Sequence, residues 1–343
     1  MQGQTNIGIF GAGSIGCYIG AHLMQAGFTT QLLGRESLKR EVEQHGLSAS
    51  NYKGANISLP PGRVRIETDA RGLSAADIVL VTVKSGDTRA AGEALQSNLK
   101  KGTIVVSFQN GLSNASLLEK LLPDCQVLGG MVPFNVIREP GARFHCGTSG
   151  NLMIAAGAAS ERVSRLLGDA GLRTDVRRDL PAVLRGKLIF NLNNALNALA
   201  GVPLREELSD RAYRRILAAA MEEARAVFRA GNEPVARVGK MIPWLAPKVL
   251  RLPNWLFFRI AASMIKIDPE ARSSMWEDLE RKRTTEIDYL NGEILSRAAP
   301  LGMTVPVNAT IVSLIRDAEK QKTGSPRLSA ATLQRAMGSA FPV

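Results

Sequence analysis

The chain has 343 residues, 45% of them hydrophobic, which is enough for a sizeable core and points to two domains. Its net charge is +12, but the basic residues are scattered and only 5% of residues are aromatic, so a nucleic-acid-binding motif is excluded and a small polyanionic ligand accounts for the sign. Three distant cysteines (Cys17, Cys125, Cys146) and three scattered histidines (His22, His45, His145) exclude a disulfide framework and a metal site, and fit a reduced, cytoplasmic setting. No repeat or low-complexity tract is visible, and the N-terminus runs straight into a strand-like segment, which predicts no signal peptide.

Asn6–Phe10 is a short apolar run of the kind that forms a buried parallel strand. Gly11-Ala12-Gly13-Ser14-Ile15-Gly16 follows, and then a helical pattern (Ile15, Ile19, Leu23, Met24) that ends at Gly27. This is GxGxxG with a strand before it and a helix after it. Gly11 permits the tight turn, Gly13 lets backbone approach a pyrophosphate on the helix N-terminus, and Gly16 lets helix and strand pack closely. The second strand, 29–33, ends in Gly34-Arg35, where an NAD site usually carries an acidic residue. A guanidinium suits a 2′-phosphate, so Arg35 predicts NADP, with Lys39 and Arg40 as helpers.

Residues 46–68 read as an inserted hairpin. The next two strands of the parallel sheet are 76–83 and 104–108; Lys84 follows the first and Gln109-Asn110-Gly111 the second. In an open parallel sheet, ligands bind outside the carboxyl ends of the strands. Lys84 is placed there to meet negative charge, and Asn110 to bond the nicotinamide ribose or the substrate. A strand over 127–134, a closing antiparallel pair within 143–156, a helix over 160–170 and a strand near 172–177 complete the first domain. Its boundary is predicted near Arg178-Asp179, giving a Rossmann-type doubly wound domain over 1–178.

From Pro181 the pattern is helical, which predicts an all-helical domain over 179–325 and a tail over 326–343 with a short helix at 329–338. Lys187, Asn191 and Asn194 fall at i, i+4 and i+7, within ~60° on a helix. Asparagine is a poor helix former, so two carboxamides beside an ammonium suggest a site. Further helices are expected over 209–231, 235–266 with interruptions, 270–298 and 306–322. The apolar stretch from Met241 to Ile267 is broken by Pro243, Pro247 and Pro253 and carries Lys248, Arg251, Arg259 and Lys266. That makes it a poor membrane span and leaves room for an amphipathic contact with lipid or with a second copy in a homodimer. Residues 273–292 contain no proline and no glycine before Gly292, and Met275, Leu279, Ile287 and Leu290 recur at helical spacing. One continuous helix there would put Ser274, Asp278 and Glu286 within ~120° of one another.

A nicotinamide cofactor delivers hydride to an electrophilic carbon; a ketone oxygen must then receive a proton. A lysine whose pKa desolvation has brought toward neutrality can supply it, and Lys187 is the candidate in this chain. Glu286 is the carboxylate that positions the lysine or accepts a bond from the product hydroxyl. Ser274 and the asparagines provide neutral donors for a substrate carboxylate.

Gly11–Gly16, Thr82-Val-Lys84, Gln109-Asn-Gly111, Lys187-x3-Asn191 and the block Ser273-Ser-Met, Asp278, Arg283-x-Thr-Glu-Ile-Asp-Tyr289, Asn291-Gly292 occur in the order seen in ketopantoate reductases (2-dehydropantoate 2-reductases), which the chain resembles over nearly its whole length. The resemblance implies a Rossmann domain, a helical domain and a site in the cleft between them. It also implies NADPH-dependent reduction of a 2-oxo acid to a 2-hydroxy acid in pantothenate and coenzyme A synthesis. By position, Lys187 matches the family's proton donor, Asn110 and Glu286 its cofactor and active-site contacts, and Asn191 and Ser274 its substrate contacts. Ala195 stands where the family often has a second asparagine, with Asn194 one residue earlier; a further asparagine is replaced near Arg205, and 239–270 is longer than in compact members. These departures leave room for another 2-hydroxy acid or an amino-acid derivative as substrate; a non-catalytic NADPH-binding regulator is a third alternative, under which Lys187 and Glu286 would have no task.

Overall fold

The structure is a computed structural model that describes residues 5–239, 241–261 and 270–338. The chain divides into two compact units, 1–180 and 181–343. In chain order the first unit contains β1 (Asn6–Phe10), α1 (Ser14–Gln25), β2 (Thr29–Leu33), α2 (Glu36–His45), β3 (Leu47–Asn51), β4 (Asn56–Leu59), β5 (Arg65–Glu67) and β6 (Ile78–Val81). It continues through α3 (Thr88–Gln96), β7 (Ile104–Ser107), α4 (Asn114–Leu121), β8 (Gln126–Met131), β9 (Val136–Glu139), β10 (Arg143–Cys146), β11 (Leu152–Ala155), α5 (Ser160–Asp169) and β12 (Thr174–Arg177).

Eight strands form one sheet in the order β12-β11-β8-β7-β6-β1-β2-β5, parallel except where β11 meets β8. The direction of winding reverses between β1 and β6, the place where a doubly wound sheet opens a ligand crevice. The central strands are mostly apolar because both faces are covered. Ile78 and Leu80 of β6 belong to the core shared with α1, while Val79 and Val81 belong to a second core shared with α3 and α4. The fold is the Rossmann-type arrangement predicted from the sequence, followed by a helical region.

Two local expectations are corrected. β3 and β4 do form an antiparallel hairpin, but β5, read as part of it, joins the large sheet beside β2. Residues 143–156 do not pair with each other: β10 lies between β3 and β9 in a separate four-stranded sheet, and β11 joins β8 and β12. The apolar pattern marked the strands, but partners outside each segment decided the pairing, in the case of β10 and β3 from almost a hundred residues away.

The second unit is helical: α6 (Leu180–Asn191), which begins at the boundary residue, α7 (Asn193–Ala200), α8 (Leu204–Ser209), α9 (Arg211–Ala230), α10 (Ala246–Leu250), α11 (Asn254–Ile260), α12 (Ser274–Glu280), α13 (Asn291–Ala298), α14 (Pro306–Gln321) and α15 (Ala330–Met337). The α15 helix is capped by the Ser329 hydroxyl and buries Leu333. Of the apolar stretch 241–267, only the part up to Ala261 lies within the described residues, and there it forms α10 and α11. Among the described residues no helix is long and apolar enough to cross a membrane.

Arg214 of α9 ties this stretch down. It is fully buried, and its five N–H donors reach the carbonyls of Leu208, Ser209, Leu250 and Leu252 and the Asn254 side chain at 2.9–3.3 Å. Its guanidinium also lies 4.0 Å from the Phe257 ring centroid. Arg214→Met keeps the apolar stem and removes every donor. It is expected to cost about 3 kcal/mol or more, read by urea unfolding, because several buried carbonyls are orphaned together.

Candidate functional site

In the first unit the glycine motif sits where the sheet reverses. Gly11 has φ +112, and its N–H and that of Ala12 donate to the Leu33 carbonyl at 3.2 and 2.8 Å, so the turn is pinned to the end of β2. A Cβ on Gly16 would overlap the Gly11 carbonyl oxygen and lie 2.7 Å from Thr82 Oγ1; only glycine fits. Thr82, just past β6, donates its hydroxyl to the Gly11 carbonyl at 2.6 Å and locks the turn to the neighbouring strand. A Cβ on Gly13, in contrast, would meet nothing within 4 Å. Gly13 is the N-cap of α1, with no side-chain cap and no acidic residue in the first turn. Open space, free approach to backbone and first-turn amides with no intrahelical acceptor suit the pyrophosphate of a dinucleotide. These residues fit that group, and Gly11, Ala12, Gly13, Ser14, Ile15 and Gly16 are the ones that would hold it.

Arg35 is exposed two residues beyond β2, on extended backbone (φ −80, ψ 154) at the start of α2. Lys84 is exposed just past β6, and Asn110 is half-buried just past β7. A polar network that the sequence reading missed ties these two strand ends together. The Asn110 carbonyl accepts from Ser85 Oγ (2.8 Å) and Asn114 Nδ2 (2.5 Å). Thr88 donates its hydroxyl to Asn114 Oδ1 at 2.7 Å. Gln109 donates to Thr88 Oγ1 and the Val83 carbonyl, and Ser107 donates to Gln109. Ser85, Thr88, Ser107, Gln109 and Asn114 are all buried. Polar residues directly behind all-apolar strands, with Asn114 four positions after Asn110, were the available signal. Lys84 and Asn110 therefore stand on loops held rigidly to the sheet.

In the second unit, α6 carries Lys187 and Asn191, and α7 carries Asn194. Leu192 alone separates the two helices; it keeps helical angles (φ −57, ψ −24), and its N–H still reaches the Leu188 carbonyl. All three site residues are half-buried. Burial pushes the Lys187 pKa down from 10.5 to about 8, and the Glu286 carboxylate opposes that fall. The lysine and the glutamate, about a hundred residues apart, are thus electrostatic neighbours.

The single helix expected over 273–292 does not form. The α12 helix ends at Glu280; Lys282 turns left-handed (φ 54), its N–H bonding the Leu279 carbonyl while the Arg283 N–H reaches back to Asp278. This is a Schellman closure with lysine in the position where glycine usually stands. Ser274 and Asp278 lie on α12, whereas Glu286 lies beyond the turn, just before a short 3-10 segment, Ile287–Tyr289. Glu286 reaches Lys187 by tertiary packing, not by sharing a helix face with Ser274. Ser274 is exposed at the first position of α12, and the preceding Ser273 joins it to α7: Ser273 Oγ donates to the Asn194 carbonyl (2.9 Å) and the Ser273 N–H donates to Asn197 Oδ1 (2.8 Å). Among the described residues no group of histidines, cysteines or carboxylates could hold a metal ion.

Residues 7–159 match the family model described as ketopantoate reductase PanE/ApbA, and residues 180–319 match its C-terminal counterpart. The chain is 28% identical over 324 residues to the 2-dehydropantoate 2-reductase of Archaeoglobus fulgidus, covering 91% of this chain and 97% of that protein. A crystal structure of a PanE/ApbA family ketopantoate reductase from Ralstonia eutropha JMP134 is similar with a TM-score of 0.81 at 28% identity, covering 93% of this chain and 99% of the other. D-mandelate dehydrogenase, solved with NADH and anilino(oxo)acetate, shares the fold with a TM-score of 0.75 at 20% identity, covering 93% and 99%. With both halves of the chain matched in order, the protein belongs to the ketopantoate reductase PanE/ApbA family of oxidoreductases.

Proposed function

We propose that the protein reduces a 2-oxo acid to a 2-hydroxy acid with NADPH, and that the acid is 2-dehydropantoate, on the way to pantothenate and coenzyme A. When bound, the cofactor supplies the hydride. The chain's own residues do the rest. The α1 turn holds the pyrophosphate and Arg35 bonds the 2′-phosphate. Lys84 meets negative charge, and Asn110 positions the nicotinamide ribose or the substrate. Lys187 Nζ gives its proton to the nascent alkoxide, with Glu286 steering the ammonium and contacting the cofactor and the product hydroxyl. Asn191, Asn194 and Ser274 receive the substrate carboxylate and hydroxyls.

The observation that carries this reading is the Lys187–Glu286 pair: a half-buried ammonium whose pKa of about 8 lets it hold a proton at neutrality and release it readily. A regulator that only bound NADPH would have no use for it. The test is NADPH oxidation with ketopantoate and a panel of branched and aromatic 2-oxo acids; no turnover with any of them would end the proposal. A different 2-oxo acid is the second reading, favoured by the fully buried Ala195 where relatives often carry asparagine. In the same assay Arg35→Ala is expected to weaken NADPH by ~10-fold or more and to leave NADH nearly unchanged, since only the 2′-phosphate is lost from its grip. Equal weakening of both would remove Arg35 from that role.

A further inference from the structure

The second unit buries a carboxyl group for which the reaction above has no use. Glu207, on α8, is 1% exposed. Its Oε2 accepts from Asn197 Nδ2 at 2.6 Å, while Oε1 is buried with no partner. The other side chain touching the carboxyl is Asn193, which like Asn197 acts on it as a donor while its own Oδ1 is buried with no partner. A buried carboxylate oxygen with no partner and a buried amide oxygen with no partner on the side chain next to it are each costly, and one proton together with a turned amide resolves both. A carboxylic acid O–H on Oε1, with the Asn193 amide turned so that its oxygen faces it, satisfies both atoms at once.

The surroundings favour the neutral acid. Burial raises the carboxyl's pKa, hydrogen bonds from Asn197 and Asn193 oppose the rise, and no cation is among these influences; the net result is a pKa raised to about 8. From α9 and its N-cap the groups facing this region are Tyr213, whose phenol feels Asp210, Glu207 and Glu206, while Arg214 spends its donors on carbonyls and on Asn254. From the α12 side, Arg272 donates to the Gly201 carbonyl and lies over the Trp276 ring. Asn197, fully buried, passes the constraint on. Its other N–H donates to the Val202 carbonyl (2.9 Å), and its oxygen takes the Ser273 N–H. Ser273 in turn caps α12 and donates to Asn194.

We propose that Glu207 is a positioning residue that works as a neutral acid, donating to Asn193 and accepting from Asn197, and through Asn197 and Ser273 setting the start of α12 and hence Ser274 beside Asn194. The effect on substrate rests on reading Ser274 and Asn194 as its contacts; the protonation state of Glu207 does not. Glu207→Gln is the informative variant, because an amide reproduces the neutral acid: its oxygen accepts from Asn197 and its NH2 donates to Asn193.

Urea unfolding of wild type and Glu207→Gln between pH 5 and 9.5 tests the protonation state without substrate. A carboxyl whose pKa is higher folded than unfolded stabilises fully at low pH, and that stability is lost as pH rises toward 8. The wild-type midpoint is therefore expected to fall across this range relative to Glu207→Gln, and the variant to be the more stable protein at pH 9. A variant less stable than wild type at every pH would overturn the proposal, because the ionised carboxylate would then be what the fold needs. In the turnover assay, KM for the 2-oxo acid in wild type is expected to rise at least ~3-fold relative to Glu207→Gln between pH 7 and 9, with kcat changing alike in both. Parallel KM profiles would overturn the positioning role, whereas absence of turnover in wild type would fall on the proposed reaction instead.

Discussion

Lys187→Ala is expected to lower kcat for reduction by about 10²- to 10⁴-fold while leaving NADPH affinity nearly intact. The magnitude is that of a general acid removed from an alkoxide-forming step. The selectivity follows from the roles proposed above: Lys187, on α6, is assigned to proton transfer, whereas the pyrophosphate is assigned to the turn before α1. The pH profile carries the same information. Burial holds the ammonium at a pKa of about 8, so the reduction rate should fall as pH rises through 8 and the proton is lost, and the reverse oxidation should gain there. Stability runs the other way. The folded pKa is depressed from 10.5, so the unfolded chain binds the extra proton between about 8 and 10.5; stability is full above that window and is lost as pH falls through it. Lys187→Met should remove both the inflection in kcat and this rise in stability. Stopped-flow turnover and NADPH titration separate the roles: loss of cofactor affinity equal to the loss of kcat would make the lysine a cofactor ligand or a structural residue.

Much of this site was readable in the chain because some positions admit only one residue type. A turn at φ +112 and a helix in van der Waals contact with a carbonyl both demand glycine, so Gly11 and Gly16 mark the crevice by their spacing alone. Strands buried on both faces announce themselves by apolar runs, as in β6 and the first three residues of β7. The break after α12 did not announce itself. Lysine occupies a left-handed position at a cost of about 1 kcal/mol, with neither glycine nor proline to mark it, and the packing of Thr285 and Ile287 into the core offsets the strain. Nor did Glu207: in the sequence Leu-Arg-Glu-Glu-Leu-Ser it looks like part of a solvated helix face, and only Asn193 and Asn197 packing over it make it a buried acid. Asn197 itself, set between Leu196 and Ala198 in an apolar helix, was a signal that the i, i+4, i+7 pattern of Lys187, Asn191 and Asn194 drew attention away from.

Gly13→Ala separates binding from folding on the cofactor side. The added Cβ would meet no protein atom within 4 Å, and the backbone there (φ −85, ψ −165) is extended and open to alanine. The variant should therefore fold with its midpoint unchanged within about 0.5 kcal/mol. NADPH affinity should nevertheless fall by about 10²-fold, because the methyl group fills the space through which a pyrophosphate approaches the amides of α1. Gly16→Ala is the contrasting case: its Cβ would overlap the Gly11 carbonyl and crowd Thr82, so it should destabilise the first unit as well as abolish cofactor binding. Cofactor titration by fluorescence and thermal melts of the two variants read the difference. If Gly13→Ala bound NADPH as tightly as the parent protein, the phosphates would not rest on this turn, and the assignment of residues 11–16 to the cofactor would be wrong.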